Sequence, residues 1–176
     1  MFQKVIVIGS PGAGKSTFSR KLRDKTHLPL YYLDMLWHKP DRTTISRREF
    51  DIKLKDILLR DQWIIDGNYN RTLEMRFQYC DTVFLLDYPL ELCLLGAESR
   101  VGEKREDLPW LETEFDSEFK QFIIDFSRDI LPQIYGLIEK YRKEKSIIIF
   151  KSREESETYL HAILGEINLF KYPPVL

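Results

Sequence analysis

Short apolar runs alternate along the chain with longer segments in which apolar residues recur at helical spacing. The apolar runs predict five strands, at residues 5–8, 30–33, 63–65, 82–86 and 147–150. The segments between them predict helices at residues 15–24, 46–60, 89–100, about 115–141 with a kink or restart at Pro132, and 152–165. Strands alternating with helices favour an α/β fold with one open parallel sheet and helices on both faces.

Two helix starts carry capping boxes, Ser46 with Glu49 and Ser152 with Glu155. A third helix carries an aromatic and aliphatic stripe at helical spacing, made of Phe115, Phe119, Phe122, Ile123, Phe126 and Ile130. We interpret this stripe as core rather than as a cofactor pocket, because an apolar stripe usually packs against the rest of a domain.

Residues 9–16 read Gly-Ser-Pro-Gly-Ala-Gly-Lys-Ser and fit the phosphate-binding pattern G-x-x-x-x-G-K-[ST]. The pattern follows a predicted strand and opens a predicted helix, so that backbone N–H groups and the helix N-terminus can hold phosphate oxygens. We expect ATP to bind here. The expected contacts are Gly9, Pro11, Gly12, Ala13, Gly14, Lys15, Ser16 and Thr17. Lys15 is expected to reach the β- and γ-phosphates and the Ser16 hydroxyl to bind Mg²⁺.

Three aspartates end predicted strands, and the carboxyl ends of parallel strands meet at the edge where ligands bind. Asp66 is the predicted partner of Mg²⁺ through water, with Asp87 as the reserve. Asp34 is a candidate base for an acceptor hydroxyl, a metal-site residue, or a cap.

Arg100 and Arg105 are the predicted cations that follow charge on a transferred phosphoryl group. They flank or lie in a polar segment, about residues 101–112, which we expect to act as a short lid. Arg71, Trp37 and Tyr69 are candidate acceptor contacts. The domain is expected to span residues 1–170, with an irregular tail at 171–176.

Composition excludes some classes of protein. The chain has 176 residues and a net charge of −1, so no overall charge draws it to nucleic acid or anionic lipid. Cys80 and Cys93 are isolated and are expected in the core. No apolar stretch is long enough to predict a membrane span, and we expect a cytoplasmic location.

Further blocks accompany the phosphate loop: residues 63–69 read Trp-Ile-Ile-Asp-Gly-Asn-Tyr, residues 86–89 Leu-Asp-Tyr-Pro, and residues 105–109 Arg-Glu-Asp-Leu-Pro. Over about residues 3–165 the chain resembles the bacterial adenylate-kinase-like group called DNA topology modulation protein FlaR-related. More broadly it is similar to the nucleoside monophosphate kinase and shikimate kinase superfamily. The resemblance implies a three-layer P-loop fold with strand order 2-3-1-4-5, which puts Asp66 beside the phosphate loop.

Three functions stay open. The first is an ATP-dependent kinase that phosphorylates a nucleotide or a small hydroxylated metabolite, acting as a monomer or homodimer. The second is an ATP-dependent regulator of DNA topology, which the group's name suggests and the charge of the chain does not support. The third is an ATPase or nucleotide-sensing module. Asp34 and the arginine-bearing lid favour the kinase.

Overall fold

The computed structural model describes the backbone of residues 2–171 and the side chains of residues 2–163. Five parallel strands form one sheet in the order β2-β3-β1-β4-β5. The strands are β1 Lys4–Gly9, β2 Leu30–Tyr32, β3 Trp63–Asp66, β4 Thr82–Leu86 and β5 Ser146–Phe150. The predicted α/β class and strand order are confirmed.

Within the described residues, eight α-helices and a 3-10 helix at Asn70–Thr72 connect and follow the strands. The α-helices are α1 Lys15–Thr26, α2 Leu33–Trp37, α3 Arg47–Leu58, α4 Leu73–Tyr79, α5 Leu90–Glu98, α6 Ser117–Asp129, α7 Leu131–Tyr141 and α8 Arg153–Lys171. The serine half of each predicted capping box forms, since Ser46 and Ser152 each accept a hydrogen bond from the backbone N–H three residues later. The glutamates have other partners, because Glu155 accepts from Lys151 N–H and Glu49 pairs with Lys53. No helix in the described range is long and apolar enough to cross a membrane.

The sheet separates two apolar cores because successive side chains of a strand point to opposite faces. Ile6 and Ile8 of β1 belong to one core, which α3, α4 and α7 cover. Val5 and Val7 belong to the other, which α1, α5 and α8 cover. Cys80 and Cys93 are both buried, as expected. The result is three layers, with the sheet in the middle.

Some elements differ from the sequence-based prediction. β2 ends at Tyr32, so that Asp34 lies in the first turn of α2 instead of at a strand end. The predicted restart at Pro132 is confirmed, because the segment at 115–141 forms two helices and Pro132 lies in the first turn of α7. The short helix α4 was not predicted, and α8 continues to Lys171 instead of ending near residue 165. Residues 172–176 of the predicted tail lie outside the described range.

Candidate active site

The glycine-rich segment joins the end of β1 to the start of α1 and lies against the backbone of α5. Gly12 has φ +80°, and a Cβ placed there would lie 1.9 Å from the carbonyl oxygen of Cys93. Only glycine therefore allows this close approach. Gly14 is the N-cap of α1 and supplies no side-chain cap to the first turn. The helix thus begins without a side chain that would compete with an anion for its N–H groups.

Lys15 folds back across this loop. Its Nζ donates to the carbonyl oxygens of Gly9 and Ser10, at 3.0 and 3.1 Å. Burial of the ammonium lowers the pKa of Lys15, and the nearby Asp66 opposes that shift. The two carbonyl contacts replace only part of the hydration that a charged amine loses on burial. An anion bound in the loop would therefore compensate the positive charge of Lys15.

Asn68 ties the start of the loop to the segment after β3. Its side-chain amide donates to Gly9 O at 2.8 Å, and its Oδ1 accepts from Gly9 N at 3.1 Å. The pair of bonds imitates a strand pairing, two residues beyond the last β1–β3 partners, Val7 and Asp66. The position of the phosphate loop therefore depends on the segment that follows Asp66.

The guanidinium of Arg76 in turn holds that segment. Arg76 is fully buried and donates to the carbonyl oxygens of Gly67, Asn68 and Tyr69. Burial lowers the pKa of Arg76 to about 9. Tyr69 has φ +41°, a conformation that costs energy for a residue other than glycine and is kept here by these contacts.

Ser16 lies between two carboxylates. Its hydroxyl donates to Asp107 Oδ2 at 2.8 Å and also interacts with Asp66. Asp66 is buried, and its Oδ1 has no hydrogen-bond partner among the described residues. Burial raises the pKa of Asp66 to about 6, although Lys15 opposes the rise. Burial also disfavours the charged form of Asp107, but Arg105 and Ser16 outweigh it and lower that pKa.

Asp34 is a further carboxylate near Asp66 and lies in the first turn of α2. It accepts a hydrogen bond from the Tyr69 hydroxyl at 2.8 Å. Burial and the Asp34 charge together raise the pKa of Tyr69, so the phenol stays protonated and acts as a donor. The Asp34 carboxylate is oriented by one phenol and is still partly exposed.

The segment between α5 and α6 brings two arginines to the same place. Arg105 forms ion pairs with Asp107 at 2.6 Å and Glu112 at 2.5 Å. Arg100 is partly buried, and its Nε has no hydrogen-bond partner in the described part of the chain. Burial lowers the pKa of Arg100, and the neighbouring Arg105 adds to the effect. The guanidinium lies over the Phe119 ring, 6.0 Å from its centroid, and a cation in this position favours an incoming anion.

Two cavities open around these residues. The larger has a volume of about 800 Å³ and lies between the segment after β3, α2, the segment between α5 and α6, and α6 itself. The smaller, about 350 Å³, lies between the phosphate loop, α5 and the start of α8. Five residues line both cavities, namely Lys15, Ser16, Arg100, Arg105 and Asp107. The two cavities therefore share four charged residues and Ser16.

One interpretation of the sequence is partly wrong. Ile123 and Phe126 are buried, as predicted for core residues. However, the stripe also lines the larger cavity, through Phe115, Phe119, Phe122, Phe126 and Ile130. Phe122 is 46% exposed. Residues of the stripe contribute both to the core and to the lining of the larger cavity, because α6 borders the cavity instead of packing flat on the sheet.

Other candidates lie away from the cavities. Asp87, the reserve for Mg²⁺, accepts from Tyr135 and Lys151 beyond β4 and lines neither space. Arg71 pairs with Asp51 at 2.6 Å at the surface. Trp37 packs edge-on against Phe50 and Tyr69 without lining either space, whereas Tyr69 itself does line the larger cavity.

Sequence reasoning gave Asp107, Asn68 and Arg76 no role. Asp107 had the one available signal, since it stands two residues after Arg105 in the predicted lid. The contacts of Asn68 and Arg76 depend on tertiary structure and leave no spacing pattern.

The chain is similar in fold to known proteins of solved structure. No protein-family model matches the chain, and no curated protein sequence matches it. A shikimate kinase from Acinetobacter baumannii, solved in complex with shikimate, is 17% identical, with a TM-score of 0.57 over 93% of this chain and 94% of that one.

Two further solved structures are similar over nearly all of both chains. A sugar kinase from a Janibacter species is 17% identical, with a TM-score of 0.53 over 96% of this chain and 95% of its own. A shikimate kinase from Bacteroides thetaiotaomicron is 16% identical, with a TM-score of 0.57 over 96% of this chain and 100% of its own. At this level of identity the likeness concerns architecture, and the chain has the fold of these small P-loop kinases.

Proposed function

We propose that the protein is an ATP-dependent kinase that transfers the γ-phosphoryl group to the hydroxyl of a small molecule. The observation that supports this most strongly is the meeting of two cavities at one set of charged residues. A transferase that uses two substrates needs two binding spaces that converge where the group moves. Here Lys15, Arg100 and Arg105 line that junction.

The smaller cavity is the proposed ATP site. It includes Gly12, Gly14, Lys15 and Thr17 of the phosphate loop, and it extends to Arg153 at the start of α8. The N–H groups at the start of α1 favour a bound polyphosphate. The larger cavity is then the acceptor site. The same proposal includes membership of the FlaR-related, adenylate-kinase-like group that the sequence resembles.

The residues present fit a Mg²⁺ ion bound together with ATP. Protein sites for Mg²⁺ commonly supply one or two carboxylates, while phosphates and water complete the coordination. Ser16, Asp66 and Asp107 offer such a set, and Asp66 has a buried oxygen without a partner in the described structure. The described residues contain no cluster of three or more His, Cys, Asp or Glu side chains that could hold a metal alone. When bound, the ion would neutralise phosphate charge.

The chemistry of the remaining residues follows from their positions. The Asp34 carboxylate, oriented by Tyr69, accepts the proton of the acceptor hydroxyl. The oxygen of that hydroxyl forms a bond to the γ-phosphorus at the same time. The bond from that phosphorus to the bridging oxygen of ADP breaks, and ADP leaves with the electron pair. Lys15, Arg100 and Arg105 stabilise the charge on the transferred group.

The test measures ADP release from ATP and Mg²⁺ in the presence of nucleosides, nucleoside monophosphates, small polyols and hydroxy acids. We expect one class of acceptor to stimulate release in the wild type. The Lys15→Ala variant should lose about 10²-fold or more of that activity, because it loses a donor to the transferred group. Arg71→Ala, which changes an exposed arginine outside both cavities, is the matched control and should keep wild-type activity.

Wild-type turnover by Lys15→Ala would refute the proposed site. ATP turnover that no acceptor changes would favour the ATPase alternative. Binding to duplex DNA that weakens steeply with salt would favour a role on DNA.

A further inference from the structure

The larger cavity differs in charge from a site built for an anionic acceptor. Among the residues that line it and not the smaller cavity, five carry a carboxylate: Asp34, Asp66, Glu112, Glu114 and Asp116. One residue of this set, Arg42, carries a guanidinium. Glu112 is paired with Arg105, and Asp66 is proposed to bind Mg²⁺, which leaves Asp34, Glu114 and Asp116 against one guanidinium. A phosphate or carboxylate on the acceptor would therefore enter a lining with more carboxylates than cations.

The cations at the junction do not change this balance. Lys15, Arg100 and Arg105 also line the smaller cavity and lie where the transferred phosphoryl group must be held. Arg105 is already paired with Asp107 and Glu112. These charges serve the group in transfer and leave none for a second anion.

The two remaining basic side chains of the wall are poorly suited to bind an anion. Arg42 is exposed, and its guanidinium donates to the carbonyl oxygen of Leu111 at 3.4 Å. The pKa of His38 is lowered by burial, so its imidazole is neutral near pH 7. A bidentate clamp for a phosphate or carboxylate needs guanidinium groups directed inward.

Part of the lining is apolar, and it adjoins the carboxylates of residues 112–116. Phe115, Phe119 and Phe122 of the α6 region and Trp110 of the lid line the same space. Phe122 keeps 46% of its surface exposed although it is a large aromatic side chain. Aromatic walls with a few polar groups are typical of sites for ligands with an apolar or ring-shaped body. An occupant lying on this wall would cover the Phe122 ring.

We propose that the acceptor is an alcohol with an apolar or aromatic body that carries neither a phosphate nor a carboxylate. Its hydroxyl lies at Asp34 and its body lies on the α6 aromatics. This inference rests on the proposed kinase function and narrows it, because it excludes nucleoside monophosphates and hydroxy acids as preferred acceptors. A protonated amine on the acceptor is compatible with the acidic wall and the aromatic rings.

The test uses matched pairs of alcohols that differ by one anionic group: adenosine and AMP, thymidine and TMP, methyl shikimate and shikimate. Each compound is titrated by calorimetry into the full chain saturated with Mg²⁺ and a non-hydrolysable ATP analogue. ADP release is measured in parallel with ATP. We expect the uncharged member of at least one pair to bind at least about 10-fold more tightly than its anionic partner, with the same order in kcat/KM.

Variants at Phe122 test the role of the wall. Phe122→Lys places a cation on the cavity at a half-exposed position and should reduce or invert the preference within a pair. Phe122→Leu keeps the wall apolar and should retain it. Because the side chain is 46% exposed, both variants should fold, which a melting curve checks.

Tighter binding or faster turnover of the anionic member overturns the inference. Equal binding within every pair, or no binding of any uncharged member by the complex, also overturns it. Failure of the ATP analogue itself to bind is a different result, since it refutes the proposed kinase function.

Discussion

Asp66 offers a test in which stability without ligand should rise while stabilisation by Mg²⁺ and ATP should fall. Its carboxyl group is buried beside Lys15, Asp34 and Asp107, and burial raises its pKa from an ordinary 3.8 to about 6. The folded state therefore holds more protons on this group than the unfolded state between about pH 4 and pH 6. Stability from this group is greatest below pH 4 and is lost as the pH rises through 6.

The size of the effect follows from the shift in pKa. A shift from 3.8 to about 6 is roughly 2 pKa units, and each unit corresponds to 1.36 kcal/mol, so ionisation costs the folded state up to about 3 kcal/mol. Asp66→Asn removes this cost above pH 6. At pH 7.5 the variant without ligand should therefore unfold up to about 6–12 °C above the wild type for a domain of this size.

The assay is thermal unfolding of both proteins from pH 4 to pH 8, without ligand and with Mg²⁺ and ATP. The difference in Tm should be small at pH 4 and largest above pH 6. Added Mg²⁺ and ATP should stabilise the wild type increasingly as the pH rises through 6, because the metal needs the ionised carboxylate. The same ligands should stabilise Asp66→Asn much less.

Asp87→Asn is the control, since Asp87 is another strand-end aspartate that lies outside both cavities and pairs with Lys151 and Tyr135. Its substitution should not raise stability at any pH, and its ATP turnover should equal that of the wild type. The reasoning is wrong if Asp66→Asn is less stable than the wild type at pH 7.5, or if the two melting temperatures differ by the same amount at every pH.

Three other substitutions test contacts of the phosphate loop. Gly12→Ala should weaken ATP binding at least about 10-fold in calorimetry, because its Cβ would overlap the backbone at Cys93 and move the loop. Asn68→Ala should lower the free energy of unfolding by about 1–2 kcal/mol in urea and also weaken ATP binding, since Gly9 loses both side-chain bonds. Arg76→Met should lower the free energy of unfolding by about 3–5 kcal/mol, because three carbonyl oxygens lose their donor. Unchanged urea midpoints would contradict the last two expectations.

The sequence predicted most of the sheet because its three central strands are apolar runs that are almost wholly buried. Residues 63–65 and 82–86 stand out in this way, and both strands form where expected. The second strand was less well predicted: its last residue was placed at Leu33, which instead begins a five-residue helix. Short helices carry too little periodicity to be recognised, and α4 was missed for the same reason.

In the site, too, local sequence patterns predict some features, whereas other features depend on tertiary contacts. The phosphate loop follows from glycine and lysine spacing, because its function depends on backbone conformation that nearby residues determine. The partners of that loop do not follow from spacing. Asp107 meets Ser16 across 91 positions of sequence, and Asn68 meets Gly9 across 59. No periodic pattern records such pairs, since they form only when separate elements pack together.

By itself, the sequence determined the parallel α/β architecture, the phosphate loop and the aspartates near one edge of the sheet. Only the tertiary structure decided that Asp66 and not Asp87 lies at the cavities, and that Arg71 points to Asp51 at the surface. It also decided that the aromatic stripe of α6 borders a cavity that several carboxylates line as well. The physical reason is that hydrophobic periodicity specifies which face of an element is covered, whereas packing of distant elements decides what covers it.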